Sequence, residues 1–287
     1  MSRNQVTISL RLGVRNRPDR GKMAKPLTLP QTSLKVAIAV VAHADDALLF
    51  AGGLLIHLVK NGWQLHIVRV TDDRWDSWGL TEEETISRNR REFQAAMKAI
   101  GVSSIVELNY PTDLLGDRSE VELRKEIISI FRSVKPYLVI SFDPDSYLYE
   151  DNEDHKLVAR AVSEASWSAG FDKHPGMKSE TAVHLPIERW FFGRRVSEVT
   201  HTLNTSEYVD QLVSAIAKHK TMLVNMAHQL NIQARVIGYS LDRLLHLAES
   251  SPEDFARMVI SNRDHEEFRI IGAEKLMKAI EKYGDPI

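Results

Sequence analysis

From Leu34 onward the chain alternates between two hydrophobic periods. Val36-Ala37-Ile38-Ala39-Val40-Val41 is an unbroken apolar run, the pattern of a strand buried on both faces of a parallel sheet. Leu48, Leu49, Leu54, Leu55, Leu58 and Val59 then recur at helical spacing, and Asn61-Gly62 stops that helix. Gln64 to Val70 reads as a strand, Thr81 to Ile100 as an amphipathic helix closed by Gly101, and Ile105 to Leu108 as a short strand. Glu120 to Val134 is a predicted helix, Tyr137 to Phe142 a buried strand, and Lys156 to Ser168 a further helix. This alternation predicts an α/β fold, a Rossmann-like doubly wound, mostly parallel sheet with helices on both faces. After Gly170 the pattern changes: Ala182 to Phe192 holds one or two strands, while Ser206 to Met226 and Asn231 to Glu249 read as helical, and Pro252 to Met258 opens another helix. The C-terminal part is therefore expected to be helical.

Composition narrows the class. The chain has 287 residues, 43% hydrophobic and 26% charged, as in an ordinary globular enzyme, and a formal net charge of -2 gives no global reason to expect nucleic acid. Cysteine is absent, which excludes disulfides, a thiol nucleophile and Cys-ligated zinc, and fits a reducing, cytoplasmic location. No apolar run reaches the ~18 residues a membrane span needs. Residues 1–25 are rich in Arg and Lys against the single acid Asp19, a composition shared with organellar transit peptides. Val6, Ile8, Leu10 and Leu12 alternate with polar residues, however, so a flexible or edge-strand extension is the preferred reading, and nothing there resembles a secretory signal. The expected division is a basic extension over 1–30 and one domain over 31–287.

In an open α/β sheet, ligands bind at the carboxyl ends of the strands. Those ends here carry His43-Ala44-Asp45-Asp46, Thr71-Asp72-Asp73, Tyr110 to Asp113 and the loop Asp143 to His155. Zinc takes imidazole nitrogen and carboxylate oxygen in tetrahedral geometry, with one position left for water in a catalytic site. His43 and Asp46 lie across a strand-to-helix turn that can aim both at one point, and His155 supplies a third ligand from another strand end. Asp45, beside them, is placed to take a proton from water activated by a zinc ion, Zn2+. Asp45 and Asp46, or Glu153 and Asp154, would each suit helix capping equally well. Two such motifs with a His in each, at two strand ends of one sheet, favour the metal. Trp75, Trp78, Tyr147 and Tyr149 lie in nearby loops, suited either to stacking on a sugar ring or to loop packing. Gly52-Gly53 inside a helix is expected to permit close packing.

Ala42-His43-Ala44-Asp45-Asp46-Ala47 followed by Ala51-Gly52-Gly53 resembles the opening motif of the LmbE-like, or PIG-L, zinc deacetylases. Val70-Thr71-Asp72, Glu92 with Ile100-Gly101-Val102, Leu108 to Asp113, Asn152-Glu153-Asp154-His155 and Glu266-Glu267-Phe268-Arg269 are similar to later elements of that family. The resemblance implies a hydrolase that removes an N-acetyl group from an amino sugar such as N-acetylglucosamine or its conjugate, with His43, Asp46 and His155 as ligands and Asp45 as base. It also implies that Asp113 contacts substrate and that a substrate-binding arginine falls near Arg88, although strict spacing from Glu92 lands on Asn89, with Arg90 and Arg91 as competitors. Ala44 and Ala47 depart from the family's Pro and Glu, and Asn152 stands where the family has a His that stabilises the oxyanion. An Asn amide donates a hydrogen bond but no proton, so Asp45 would serve as both base and acid, with Asp154 holding Asn152 or a neighbouring group in place. The alternatives are an amidase on another acyl-amine, such as a thiol-sugar or antibiotic intermediate, and a sugar-binding homologue with weakened catalysis. The expected partner is a small N-acetylated sugar or glycoconjugate; a homo-oligomer is left open.

Overall fold

The computed structural model describes residues 24–172, 182–261 and 264–285, apart from the Tyr147 side chain. Among them eight strands form one sheet: β1 (Lys25–Pro26), β2 (Val36–Val41), β3 (Gln64–Thr71), β4 (Ser104–Tyr110), β5 (Leu138–Phe142), β6 (Glu188–Phe192), β7 (His201–Asn204) and β8 (His265–Ile271). Their spatial order is β1-β7-β8-β6-β5-β2-β3-β4. The five strands β4-β3-β2-β5-β6 run parallel, β8 runs antiparallel to β6 and to β7, and β1 pairs parallel with β7. The expected doubly wound sheet is present, and chain order reverses at β2. The connections leaving β2 and β5 therefore part from each other and open a crevice at their carboxyl ends.

The continuous apolar run of β2 explains its central place: Ala37 to Val41 are all buried, between β3 and β5. Helices follow in the order α1 (Asp46–Lys60), α2 (Glu82–Ile100), α3 (Glu120–Val134) and α4 (Glu153–Ser168). Beyond β7 come α5 (Val209–Ile216), α6 (Lys220–Val236), α7 (Asp242–Ser250) and α8 (Pro252–Val259), then β8 and α9 (Glu274–Tyr283). Thr81 and Glu84 form a capping box on α2, and Gly101 ends it in the left-handed region at φ 84°. The C-terminal part is helical as expected but also contributes β7 and β8, and the helix expected over 206–226 breaks at 217–219. Lys25–Pro26 falls within the stretch read as an extension, and Val6 to Leu12 lie outside the described residues. No helix among the described residues is long and apolar enough to cross a membrane.

One packing detail bears on the site. Helix α1 is broken at Ala51 (φ -140°, ψ 18°). The freed amides of Gly53 and Leu54 donate to Glu266 Oε1 at 2.7 Å and Oε2 at 2.8 Å. A Cβ on Gly52 would stand 2.4 Å from Leu212 Cδ1, and one on Gly53 2.3 Å from Thr205 Cγ2. The glycine pair is thus where α5 and β8 close against α1, as its sequence position implied.

Candidate metal centre

His43 and Asp46 leave the end of β2, and His155 lies in the first turn of α4, which begins at Glu153 rather than Lys156. All three side chains are buried. One ligand atom from each falls within 4.8 Å of the others. His43 Nδ1 is 3.2 Å from His155 Nε2, which is 3.1 Å from Asp46 Oδ1, and Asp46 Oδ2 is 3.4 Å from His43 Nδ1. A tetrahedral ion with bonds of ~2.05 Å has ligand–ligand edges of about 3.3 Å. Two imidazoles and a carboxylate at these separations fit a zinc-type ion with little movement.

Each histidine is steadied from outside. His43 Nε2 faces Asp154 Oδ2 at 3.4 Å, and the same oxygen accepts the Asp113 amide at 2.8 Å. His155 Nδ1 lies 3.2 Å from Glu150 Oε2, close enough for an ion pair although its angle does not make a hydrogen bond. The His155 ring stacks on Phe142 at 4.1 Å and meets the edge of Phe50 at 5.9 Å. A carboxylate on the far nitrogen of a ligating imidazole fixes its tautomer and raises its basicity. Burial opposes charge on both rings, but Asp46 with Asp154 holds His43 well above its usual value, and Asp46 with Glu150 holds His155 up at about 9. Burial likewise opposes charge on Asp46, and His155 and His43 outweigh it and hold that carboxyl far below the usual range.

The capping alternatives are resolved by the hydrogen bonds. Asp45 occupies the N-cap of α1 yet makes no side-chain cap bond, and Asp46 Oδ2 turns back to accept the His43 amide at 2.6 Å. Asn152 caps α4, its Oδ1 accepting the His155 amide at 3.2 Å, which leaves its amide group to donate elsewhere. Half-buried Asp45 is pushed upward by burial and then by Asp46 and Asp76. Asp154 is fully enclosed behind His43, so it positions that ring and the Asp113 amide rather than Asn152. Asp113 is exposed, in the left-handed region at φ 59° that aspartate tolerates. Arg88 is exposed on α2 with no hydrogen bond or ion pair to the triad among the described residues. Arg90 pairs with Glu107 and Arg91 with Ser87, whereas buried Asn89 holds the loop at Asp73 and Asp76.

Behind the triad, Asp73 (φ 56°) accepts the Ala44 amide at 3.3 Å and is gripped by buried Arg69 at 2.7 Å, which also binds Glu107. Asp72 accepts from Thr112, drawing the loop after β4 to the end of β3. The late motif also has physical work to do: Glu266 caps the broken α1, Phe268 is buried, and Arg269 pairs with Asp143 after β5. Asp76 and Glu150 were not singled out from the sequence. Each is one acid among several in a polar loop, and the cue that marks it is the aromatic that precedes it, Trp75 or Tyr149.

Comparison with known proteins agrees with this geometry. Residues 38–166 match the family described as PIG-L, GlcNAc-PI de-N-acetylase. A diacetylchitobiose deacetylase of Thermococcus kodakarensis is 29% identical over 148 residues, 49% of this chain and 52% of that protein. A 4-oxalmesaconate hydratase of Pseudomonas putida is 27% identical over 146 residues, 47% of this chain and 52% of that protein. The chain thus spans about half the length of the curated relatives it matches. The solved N,N'-diacetylchitobiose deacetylase of Pyrococcus horikoshii shares the fold, with a TM-score of 0.63 at 21% identity, over 89% of this chain and 90% of that one. Residues 38–166, the part of this chain similar to the PIG-L family, contain His43, Asp45, Asp46, Asp154 and His155.

Proposed function

We propose that the protein is a zinc-dependent N-deacetylase acting on an N-acetylated amino sugar or its conjugate. The observation that carries this reading is the buried His43–Asp46–His155 set at metal-ligand separations, with the Asp45 carboxylate beside it free of any capping bond. The deacetylase relatives support the choice of reaction.

A zinc ion in that set would polarise the amide carbonyl, bring the pKa of water there towards ~7 and offset the acid–acid repulsion on Asp45. Asp45 takes the proton of the attacking water and returns it to the leaving amine. Asn152 donates its free amide hydrogens to the developing oxyanion, and Asp154 keeps His43 in its working tautomer. Asp113, on the rim, meets substrate polar groups; Arg88 is reserved for substrate parts that reach the outer surface of α2. The test is acetate release from N,N'-diacetylchitobiose and related N-acetylated sugars by the zinc-loaded protein. Asp45→Asn should keep zinc and lose nearly all turnover; full activity in that variant would sink the assigned role.

The hydratase relative supports a second reading, in which the same centre adds water to a carbon–carbon double bond. Loss of the ultraviolet absorbance of an unsaturated dicarboxylic acid, with no acetate released from any sugar, would favour it.

A further inference from the structure

β3 buries a full positive charge within the sheet. Arg69 is 0% exposed, in a strand whose Leu65, Ile67, Val68 and Val70 are also buried, and its guanidinium lies 5.0 Å from the Phe93 ring of α2. Taking a guanidinium out of water is costly unless its donors are paired. Here they are paired on two sides. Nη2 donates to Glu107, which stands opposite Arg69 on β4, and Nη1 donates to Asp73 Oδ2 at 2.7 Å. Glu107 is anchored in turn by two side chains of α2, Arg90 Nε at 3.2 Å and Gln94 Nε2 at 2.9 Å. One arm of the fork is thus fixed to the sheet, and the other grips the loop after β3.

Asp73 passes that grip on. Its backbone lies in the left-handed region at φ 56°, which a non-glycine residue keeps only where its surroundings impose it. Asn89 Nδ2 holds its carbonyl at 3.0 Å, and Asp73 Oδ1 accepts the Ala44 amide at 3.3 Å. Ala44 lies between the candidate ligand His43 and Asp45. Asp45 makes no side-chain cap bond on α1, so the backbone of this turn sets where its carboxylate points. The same turn sets the spacing of His43 from Asp46, whose Oδ2 accepts the His43 amide at 2.6 Å.

We propose that Arg69 is a positioning residue for the metal centre: through Asp73 and the Ala44 amide it fixes the turn that carries His43, Asp45 and Asp46. A planar guanidinium holds Glu107 and Asp73 at once in fixed directions, whereas a lysine ammonium is a point charge on a flexible stem. The effect on turnover rests on the deacetylase reading; the effect on the metal rests on the three candidate ligands alone.

The experiment compares the full-length parent with Arg69→Lys and with the double variant Arg69→Met/Asp73→Asn. The double variant removes both buried charges and leaves an amide oxygen for the Ala44 N–H, so it replaces a merely structural ion pair without loss. Thermal melting of the metal-free protein reports folding. Competition against a chelator reports zinc affinity, and the visible absorption of the cobalt-substituted protein reports ligand geometry. Both variants should melt cooperatively yet bind zinc about tenfold more weakly, with altered cobalt bands. For acetate release from N,N'-diacetylchitobiose, kcat should fall about tenfold or more while KM stays within about twofold. Zinc affinity within about twofold of the parent and unchanged cobalt bands in the variants that fold overturn the positioning role. Recovery of both by the double variant alone reduces Arg69 to a structural ion pair and overturns it as well. Weakened zinc binding and altered bands, with no acetate released from any sugar by the parent, uphold the positioning and overturn the deacetylase. Acetate release by the parent, with parental affinity and bands in both variants, does the reverse.

Discussion

Replacing Asp154 by Asn tests whether the enclosed carboxylate behind His43 governs the metal. Asp154 is 1% exposed, and its Oδ2 lies 3.4 Å from His43 Nε2. Full unit charges at 3.4 Å would attract by about 5 kcal/mol at an effective dielectric of ~20. An imidazole bound to a dication takes up only a fraction of that charge, so a quarter to a half of the attraction is expected, about 1.2–2.4 kcal/mol. That corresponds to zinc affinity weaker by about 8- to 60-fold. Asn keeps an oxygen for the Asp113 amide, now accepted at 2.8 Å, so the loop after β4 should hold its place. The assay is competition for zinc against a chromogenic chelator at neutral pH, with thermal melting of the metal-free protein as control. Zinc affinity within about twofold of the parent would refute the view that Asp154 acts through His43.

Two further outcomes follow from packing and burial. Gly53→Ala places a Cβ 2.3 Å from Thr205 Cγ2 and 2.9 Å from its Cβ, so α1 must shift; urea unfolding should show a loss of about 1–3 kcal/mol, and unchanged stability would mean that the α1–β8 junction is loose. His219 is buried with both ring nitrogens unpartnered, and burial, reinforced by Arg69, pushes its pKa down to about 3 from 6.5. The unfolded chain therefore binds a proton that the folded one refuses, so stability is complete above about 6.5 and is lost as pH falls towards about 3. His219→Gln should flatten the pH dependence in that window by about 1.4 kcal/mol per pH unit, and parallel curves for the two proteins would show that this histidine is not the group responsible.

The parallel half of the sheet was readable because both its faces are buried. With no polar face to satisfy, β2 spells itself as an unbroken apolar run and β5 as one interrupted by Ser141, and α2 announces its start through Thr81 and Glu84. β7 and β8 stayed hidden because they lie near the antiparallel edge, where a strand such as His265–Ile271 mixes charged and apolar residues without a clean period. The candidate metal ligands, which the structure brings together, were legible as local motifs at strand ends. The roles of their supporters were not, since these depend on contacts across the fold. Asn152 spends its side-chain oxygen on the cap of α4, Asp154 reaches His43 from another strand end, and Asp76 reaches the centre from the next loop along the sheet.

The break in α1 has a consequence for how the centre comes into being. Asp46 stands on the short first segment of that helix, and the amides just beyond the break are satisfied by Glu266, which lies 213 residues after Gly53 and 212 after Leu54. At ~5–20 residues per second of synthesis, that clamp reaches its partners roughly 10–40 s after the helix has emerged. The nascent chain thus carries its whole ligand set long before the helix that presents Asp46 can be locked. A chain cut ahead of β8 should hold every candidate ligand yet bind metal poorly, because the clamp on α1 comes from a strand made well after the last of them.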